Sequence, residues 1–260
     1  MNDIYVDFNI LWPALIAGCL VAISHVPLGQ QVLSRGIVFI DLAIAQVAAL
    51  GVIVANRFEL PIEGWGAQAA AAAAALAGAL LLTWTERKRP EVQEALIGIL
   101  FVLASTAQIL LLANDPHGGD NLKDLLAGQI LWVSNAQLLR TALLTAVFAL
   151  VWFIWRDRIG RIGFYVLFAI VVTASVQLVG VYLVFTTLIV PAVATYRHVA
   201  HRQLLWGYAL AIGSYVVGLA LSLVTDLPSS PVIVWAMAVL GLLLHLTGRS
   251  GNGAPRAGAH

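Results

Sequence analysis

The residues from Arg35 to Gly51, RGIVFIDLAIAQVAALG, decide how the whole chain is read. They have the make-up of a membrane-spanning helix, yet they carry Asp41 and, five residues later, Gln46 where hydrocarbon would be expected. An ionised carboxylate inside a bilayer is costly unless it faces protein, water or a cation, so it marks a functional site by default. Around this stretch the apolar pattern repeats: hydrophobic residues make up 61% of the 260-residue chain and charged residues 10%, with a mean hydropathy of +0.92. No ordinary soluble domain of this length has such a composition. Long Leu- and Ala-rich blocks satisfy their backbone in lipid as helices and not as a barrel. The expected fold is all-α, a polytopic membrane protein with eight or nine transmembrane helices.

Apolar blocks close to the ~20 residues that cross a bilayer fall near 9–28, 37–56, 65–85, 92–113, 138–155, 162–177, 180–196, 203–224 and 231–248. Only Gln177 to Gly180 separates the sixth from the seventh, so a single kinked helix is the alternative there. Basic residues accumulate on the cytoplasmic side. With the N-terminus outside, Arg35, Arg87, Lys88, Arg89, Arg156, Arg158, Arg161, Arg197, Arg202, Arg249 and Arg256 fall inside, against Arg57, Lys123 and Arg140 outside. The reading is therefore N-terminus outside and C-terminus cytoplasmic. The acidic N-terminus MNDIYVDFN lacks the basic region of a cleavable signal, so the first helix is read as a retained span. Residues 1–248 form the transmembrane domain, and 249–260, small and polar, a disordered cytoplasmic tail.

The net charge of +1 gives no reason to expect nucleic acid, and the single Cys19 excludes an internal disulfide framework. In the third span, AQAAAAAAALAGAL at 67–80 either packs closely among neighbours or is simply a good helix former. After the fourth span, an external loop is expected to lead into a short interfacial or re-entrant helix before Ser134.

Polar residues in or beside the spans are the candidate sites. Asp41 reads as an anionic oxygen ligand or gate for a divalent cation, or as an interfacial carboxylate paired with Arg35 or capping a helix. Gln46 offers a weak amide-oxygen ligand, suited to fast release, or an interhelical hydrogen bond. His25, before Pro27 at the cytoplasmic end of the first span, is a possible imidazole ligand or a structural interfacial residue. His117, with Asp115 and Asp120, makes an external cluster that could receive ions, or a solvated turn at Gly118-Gly119. Thr186, Thr187 and Pro191, with Gln177 just before them, suggest either a broken helix lining a pathway or a packed proline kink. Glu94 compensates a helix N-terminus, and His198 and His201 lie in a basic cytoplasmic loop. No GxxxxGK[ST], HExxH or CxxC pattern occurs, so the chain is expected not to be an enzyme and any ATP is hydrolysed elsewhere.

Four segments carry a resemblance. Pro27-Leu28-Gly29, then Arg35 and the helix to Gly51, resembles a PLG pattern followed by an Arg-Arg pair and a Gly-Asp-x-x-x-His helix. Ala95 to Leu100, ALIGIL, is similar to an IGILF-type fourth helix. Leu126 to Ser134, LAGQILWVS, resembles L-x-G-x-I-L-x-V-S, and Val179 to Ala192, VGVYLVFTTLIVPA, resembles VGVLLVxxLLIxPA. Together these resemble the membrane permease subunits of zinc, manganese and iron ABC importers. The resemblance implies a homodimeric permease in a bacterial inner membrane, importing zinc or manganese with no permanently bound cofactor. It also implies a cytoplasmic ATPase subunit that binds the ATP and an external metal-binding protein as partners. A gapless match places the family's metal-associated Asp at Leu42 and its His at Gln46, with Asp41 one residue early, about 100° around the helix. Between the fifth and sixth spans, the family's coupling segment is reduced to Arg156-Asp157-Arg158-Ile159-Gly160-Arg161. Arg156, Arg158 and Arg161 are then the candidate ATPase contacts. These departures keep two other readings open: a regulatory subunit that has lost transport, and a permease for another small solute.

Overall fold

A computed structural model of the chain describes residues 2–57, 65–112, 126, 128, 130–155 and 158–247. Among the described residues there are nine α-helices and no strand. They are α1 (Asn2–Arg35), α2 (Ile40–Arg57), α3 (Trp65–Lys88), α4 (Gln93–Leu112), α5 (Asn135–Trp155), α6 (Arg161–Val179), α7 (Val181–Thr195), α8 (Ala200–Thr225) and α9 (Ser229–Thr247). Eight are long and apolar enough to cross a bilayer, and the remaining one, α7, has 15 residues. The all-α polytopic expectation is met. His117 with its acidic neighbours, Arg156 and the tail from 249 to 260 lie outside the described residues.

The sixth and seventh candidates are two helices meeting at Gly180. This glycine sits at φ 85, a conformation that only glycine takes readily, and its N–H donates to Val176 O at 2.9 Å. The first span departs most from expectation. It was expected to end near residue 28, but α1 runs 34 residues, through Pro27 to Arg35. A proline inside a helix deprives the carbonyl four residues earlier of its donor. Here the Tyr208 hydroxyl of α8 donates to Ile23 O at 3.2 Å, so the helix continues. It stops at Gly36, φ 68, where Gly36 N–H reaches Leu33 O at 3.2 Å and Ile37 N–H reaches Val32 O at 3.3 Å. This pair of bonds is the Schellman closure of a helix C-terminus.

The core lies where α1, α2, α6, α7 and α8 meet, and its largest fully buried side chains include Leu28, Ile40, Ile44, Tyr165, Phe168, Leu183 and Tyr215. The outer faces of α4 and α5 expose Val102, Leu103, Leu110, Leu139, Leu143 and Leu150. Such surfaces suit hydrocarbon and not water. Small residues set the helix spacing. A Cβ on Gly29 of α1 would run into the Leu188 carbonyl of α7, and one on Gly51 of α2 into Ala74 of α3. The Ala-rich helix presents Ala71, Ala75 and Ala79 to the interior at four-residue spacing, so close packing is what those alanines achieve.

Two of the motif segments touch. Gly128, at φ 68, lies directly against the Val179–Gly180 backbone, leaving no room for a Cβ. After it, Ile130–Trp132 forms a single 3-10 turn with Ile130 fully buried; Leu126 is helical, and most of the segment expected to hold a short interfacial or re-entrant helix lies outside the described residues. Ser134 then caps α5: its Oγ accepts from Gln137 N–H at 3.3 Å, and Gln137 Oε1 accepts from Ser134 N–H at 2.9 Å. This reciprocal pair is a capping box.

Replacing Gly29 with Leu should destabilise the detergent-solubilised protein by about 1–3 kcal/mol, the usual cost of overpacking. Thermal unfolding measures it, with Gly98→Ala as the control, because a Cβ there meets nothing; equal melting temperatures for the two variants would contradict the packing.

Candidate functional site

The start of α2 is built from three directions. Phe39 N–H donates to Glu94 Oε1 of α4 at 3.2 Å, so Glu94 anchors a second helix besides opening its own. The Phe39 ring stacks on Phe185 of α7 at 6.4 Å. The Arg35 guanidinium lies over the Phe164 ring of α6 at 4.1 Å, so it stacks on an aromatic face where pairing with Asp41 had been the alternative. Asp41 falls in the first turn of α2, where the helix dipole favours a negative charge. It is fully buried, and neither carboxylate oxygen has a hydrogen-bond partner. A buried carboxylate with no donor calls for a cation, a proton or water to complete it.

Asp41 and Gln46 do not work as a pair. Five residues on a helix turn about 140° between them. The α3 side of α2 is occupied by Ile44 and Val47, which pack at Gly78. Leu42 faces α4, lining an apolar hollow of about 560 Å³ with Phe39, Gly98 and Phe101. Gln46 also faces α4, where its Oε1 accepts from Gln108 Nε2 at 2.7 Å and its backbone oxygen accepts from the same nitrogen at 2.9 Å. The interhelical hydrogen bond is thus what Gln46 makes. Gln108, fully buried, was not singled out in the sequence, although a glutamine inside an apolar helix is the same signal that marked Gln46.

His25 is not interfacial. Because α1 continues past Pro27, it sits inside the helix and is fully buried. Its Nδ1 lies 3.0 Å from Val21 O and 3.0 Å from Ser24 Oγ. A carbonyl only accepts, so Nδ1 carries the hydrogen and Nε2 is a bare lone pair, buried with no partner. That is the tautomer of a metal-ready imidazole. Among the described residues, however, no three His, Cys, Asp or Glu side chains converge on a common point. Asp41 and His25 Nε2 make no hydrogen bond to each other.

On α7, Thr186 Oγ1 donates to Tyr182 O at 2.7 Å. Thr187 Oγ1 donates to Leu183 O at 2.7 Å and lies 2.9 Å from the Tyr215 hydroxyl of α8. Pro191 leaves the Thr187 carbonyl without a helical donor, but α7 stays helical from Val181 to Thr195. Of the two readings offered for Pro191, a broken helix or a packed kink, the continuous helix with Pro191 buried fits the second; the helix break lies at Gly180, and Gln177, half-buried, is in the last turn of α6 before it.

Of the coupling candidates, Arg158 is exposed in the turn before α6. Arg161 opens α6, with Nε 3.4 Å from Glu86 Oε2 at the end of α3. Deeper in, Gln93 joins three helices: its Nε2 donates to Leu82 O at 3.0 Å and to the Tyr165 hydroxyl at 3.3 Å, and its Oε1 accepts from Thr85 Oγ1 at 2.9 Å.

A helical bundle clad in apolar side chains, with titratable and amide groups left unpaired inside, has the build of a membrane transport subunit. The sequence matches the ABC 3 transport family over residues 7–159 and 157–247, and the chain belongs to that family. The resemblance read from the four motifs is borne out. Its fold is similar to a chain of PsaBC from Streptococcus pneumoniae in complex with Fab, at 21% identity and TM-score 0.75, covering 94% of this chain and 95% of that one. It is also similar to a structure described as an inward-facing metal-chelate type ABC transporter, at 17% identity and TM-score 0.67, over 90% and 84% of the two chains.

Gln93→Leu should remove the bonds that tie α4 to Leu82, Thr85 and Tyr165 and cost about 1–3 kcal/mol. Chemical or thermal unfolding of the purified protein tests this, and a loss no larger than that of Gln203→Leu, a half-buried residue of α8 with a single side-chain bond to Tyr196 O, would show that the network adds little.

Proposed function

We propose that the chain is the permease subunit of an ABC importer for a divalent transition metal ion, zinc or manganese, powered by a separate ATPase chain. It would act as a homodimer in a bacterial inner membrane, N-terminus outside and C-terminus cytoplasmic, fed by an external metal-binding protein. Family membership supports the class, and the observation that carries the cargo is Asp41. A fully buried carboxylate with two unpartnered oxygens is an electrostatic hole that a passing cation fills. Carboxylate oxygen takes zinc or manganese and imidazole nitrogen favours zinc, and His25 presents a bare Nε2 in the same bundle. Because the ligands do not converge, they would hold the ion singly and weakly, as a conduit requires. Arg158 and Arg161, with Arg156, would face the ATPase.

The second reading, a regulatory subunit without transport, draws on α2 itself. The two positions that match the family's metal-associated pair are Leu42, against an apolar hollow, and Gln46, whose oxygen is already bonded to Gln108.

Uptake of zinc and manganese by cells carrying the chain with its ATPase separates these readings. Asp41→Asn and Asp41→Ala should lower uptake by about tenfold or more with the complex still assembled, as losses of metal-site groups commonly do. Wild-type uptake in both variants would remove Asp41 from the pathway. A complex whose ATP turnover ignores both metals would favour the regulatory reading.

A further inference from the structure

Donor and acceptor accounting along the α2–α4 seam points to a residue other than Gln46. Gln108 Nε2 is held 2.9 Å from a backbone carbonyl of α2, which can only accept, so the amide cannot be turned the other way. Both of its N–H groups are then spent, one on Gln46 O and one on Gln46 Oε1. What remains is Gln108 Oε1, on a fully buried side chain, with nothing to accept from. Ser105, one turn earlier on the same side of α4, also has a buried hydroxyl oxygen without a partner. Gln108 Oε1 is thus a buried acceptor, and Ser105 Oγ a buried hydroxyl that can give or accept, and neither has a partner. Oxygens buried in this way are stable only when something electropositive completes them.

We propose that Gln108 Oε1, with Ser105 Oγ, is a neutral oxygen contact for the transported divalent cation, and that Gln46 positions Gln108 and does not itself bind the ion. The inference rests on the metal-permease reading. α2 and α4 start at the same end of the bundle, where Phe39 meets Glu94. The Gln108 amide is clasped at Gln46, five residues beyond Asp41 on α2 and about 7.5 Å further along the helix at 1.5 Å per residue. A cation entering from outside would thus meet an uncharged amide first and a carboxylate later. Neutral oxygens take hard, partly hydrated cations with little preference, whereas imidazole favours zinc over manganese.

Initial uptake rates of Zn²⁺ and of Mn²⁺, each supplied alone to cells carrying the complete transporter, test the assignment. Gln108→Leu should cut both rates about tenfold. Gln46→Leu, which frees the clasp but keeps the Gln108 oxygen, should cut them less. Gln108→His should raise the zinc-to-manganese ratio several-fold, a change that a purely structural residue would not produce. All variants are compared at equal amounts of complex co-purified with the ATPase. An unchanged ratio in Gln108→His overturns the proposal, as do equal losses in Gln46→Leu and Gln108→Leu. Failure of every Gln108 variant to assemble also overturns it, since the residue is then a clasp. Absence of uptake by the unmutated transporter would instead overturn the metal-permease reading beneath it.

Discussion

Inside a bilayer there is no water to pair a stranded peptide group, so each carbonyl that loses its helical donor must find another or be tolerated at a cost. Much of this bundle follows from that constraint. Pro27 strands the Ile23 carbonyl, and Tyr208 of α8 supplies the missing hydrogen. The helix α1 continues past the proline to Arg35, which places the Schellman turn, the first turn of α2 and Asp41 where they are. The same continuation brings Gly29 to rest on the Leu188 carbonyl of α7.

The same constraint explains which parts of the structure could be read from the sequence. The helices from α2 to α9 follow from apolar length, because nothing but a helix serves such a stretch in lipid. The end of the first span was misplaced because Pro27 is a helix breaker by local rules, and its rescue comes from a residue 185 positions away in the chain. The burial of His25 was missed for the same reason. Asp41 and Gln46 stood out as polar residues in an apolar run. Gln108 stood in an equally apolar run, STAQILLL, but its importance depends on which atom of Gln46 it meets, 62 residues away. A sequence can show that a side chain is out of place in hydrocarbon, but it does not show which of its atoms is already paired.

The candidate site is best described by what its groups lack. Asp41 wants a positive partner, His25 Nε2 wants a proton donor or a metal, and Gln108 Oε1 wants either. These groups come from α2, α1 and α4, and among the described residues no three His, Cys, Asp or Glu side chains converge. A tightly chelating site gathers its ligands on one ion, and a transport protein that did so would hold its cargo. Dispersed single acceptors suit passage, and they leave each group free to be completed by water between ions.

The joint between Gly128 and the Val179–Gly180 peptide has a thermodynamic consequence. No side chain can enter it, so what it removes from its surroundings is peptide surface. Burial of apolar surface carries a large heat-capacity change, and burial of polar surface a smaller one of opposite sign. The strength of this joint therefore varies little with temperature. The helix crossings around it are held by packing, since lipid tails are as apolar as the side chains they would replace. At the hinge where α6 becomes α7, the protein has a seam whose hold is nearly the same in the cold as in the warm.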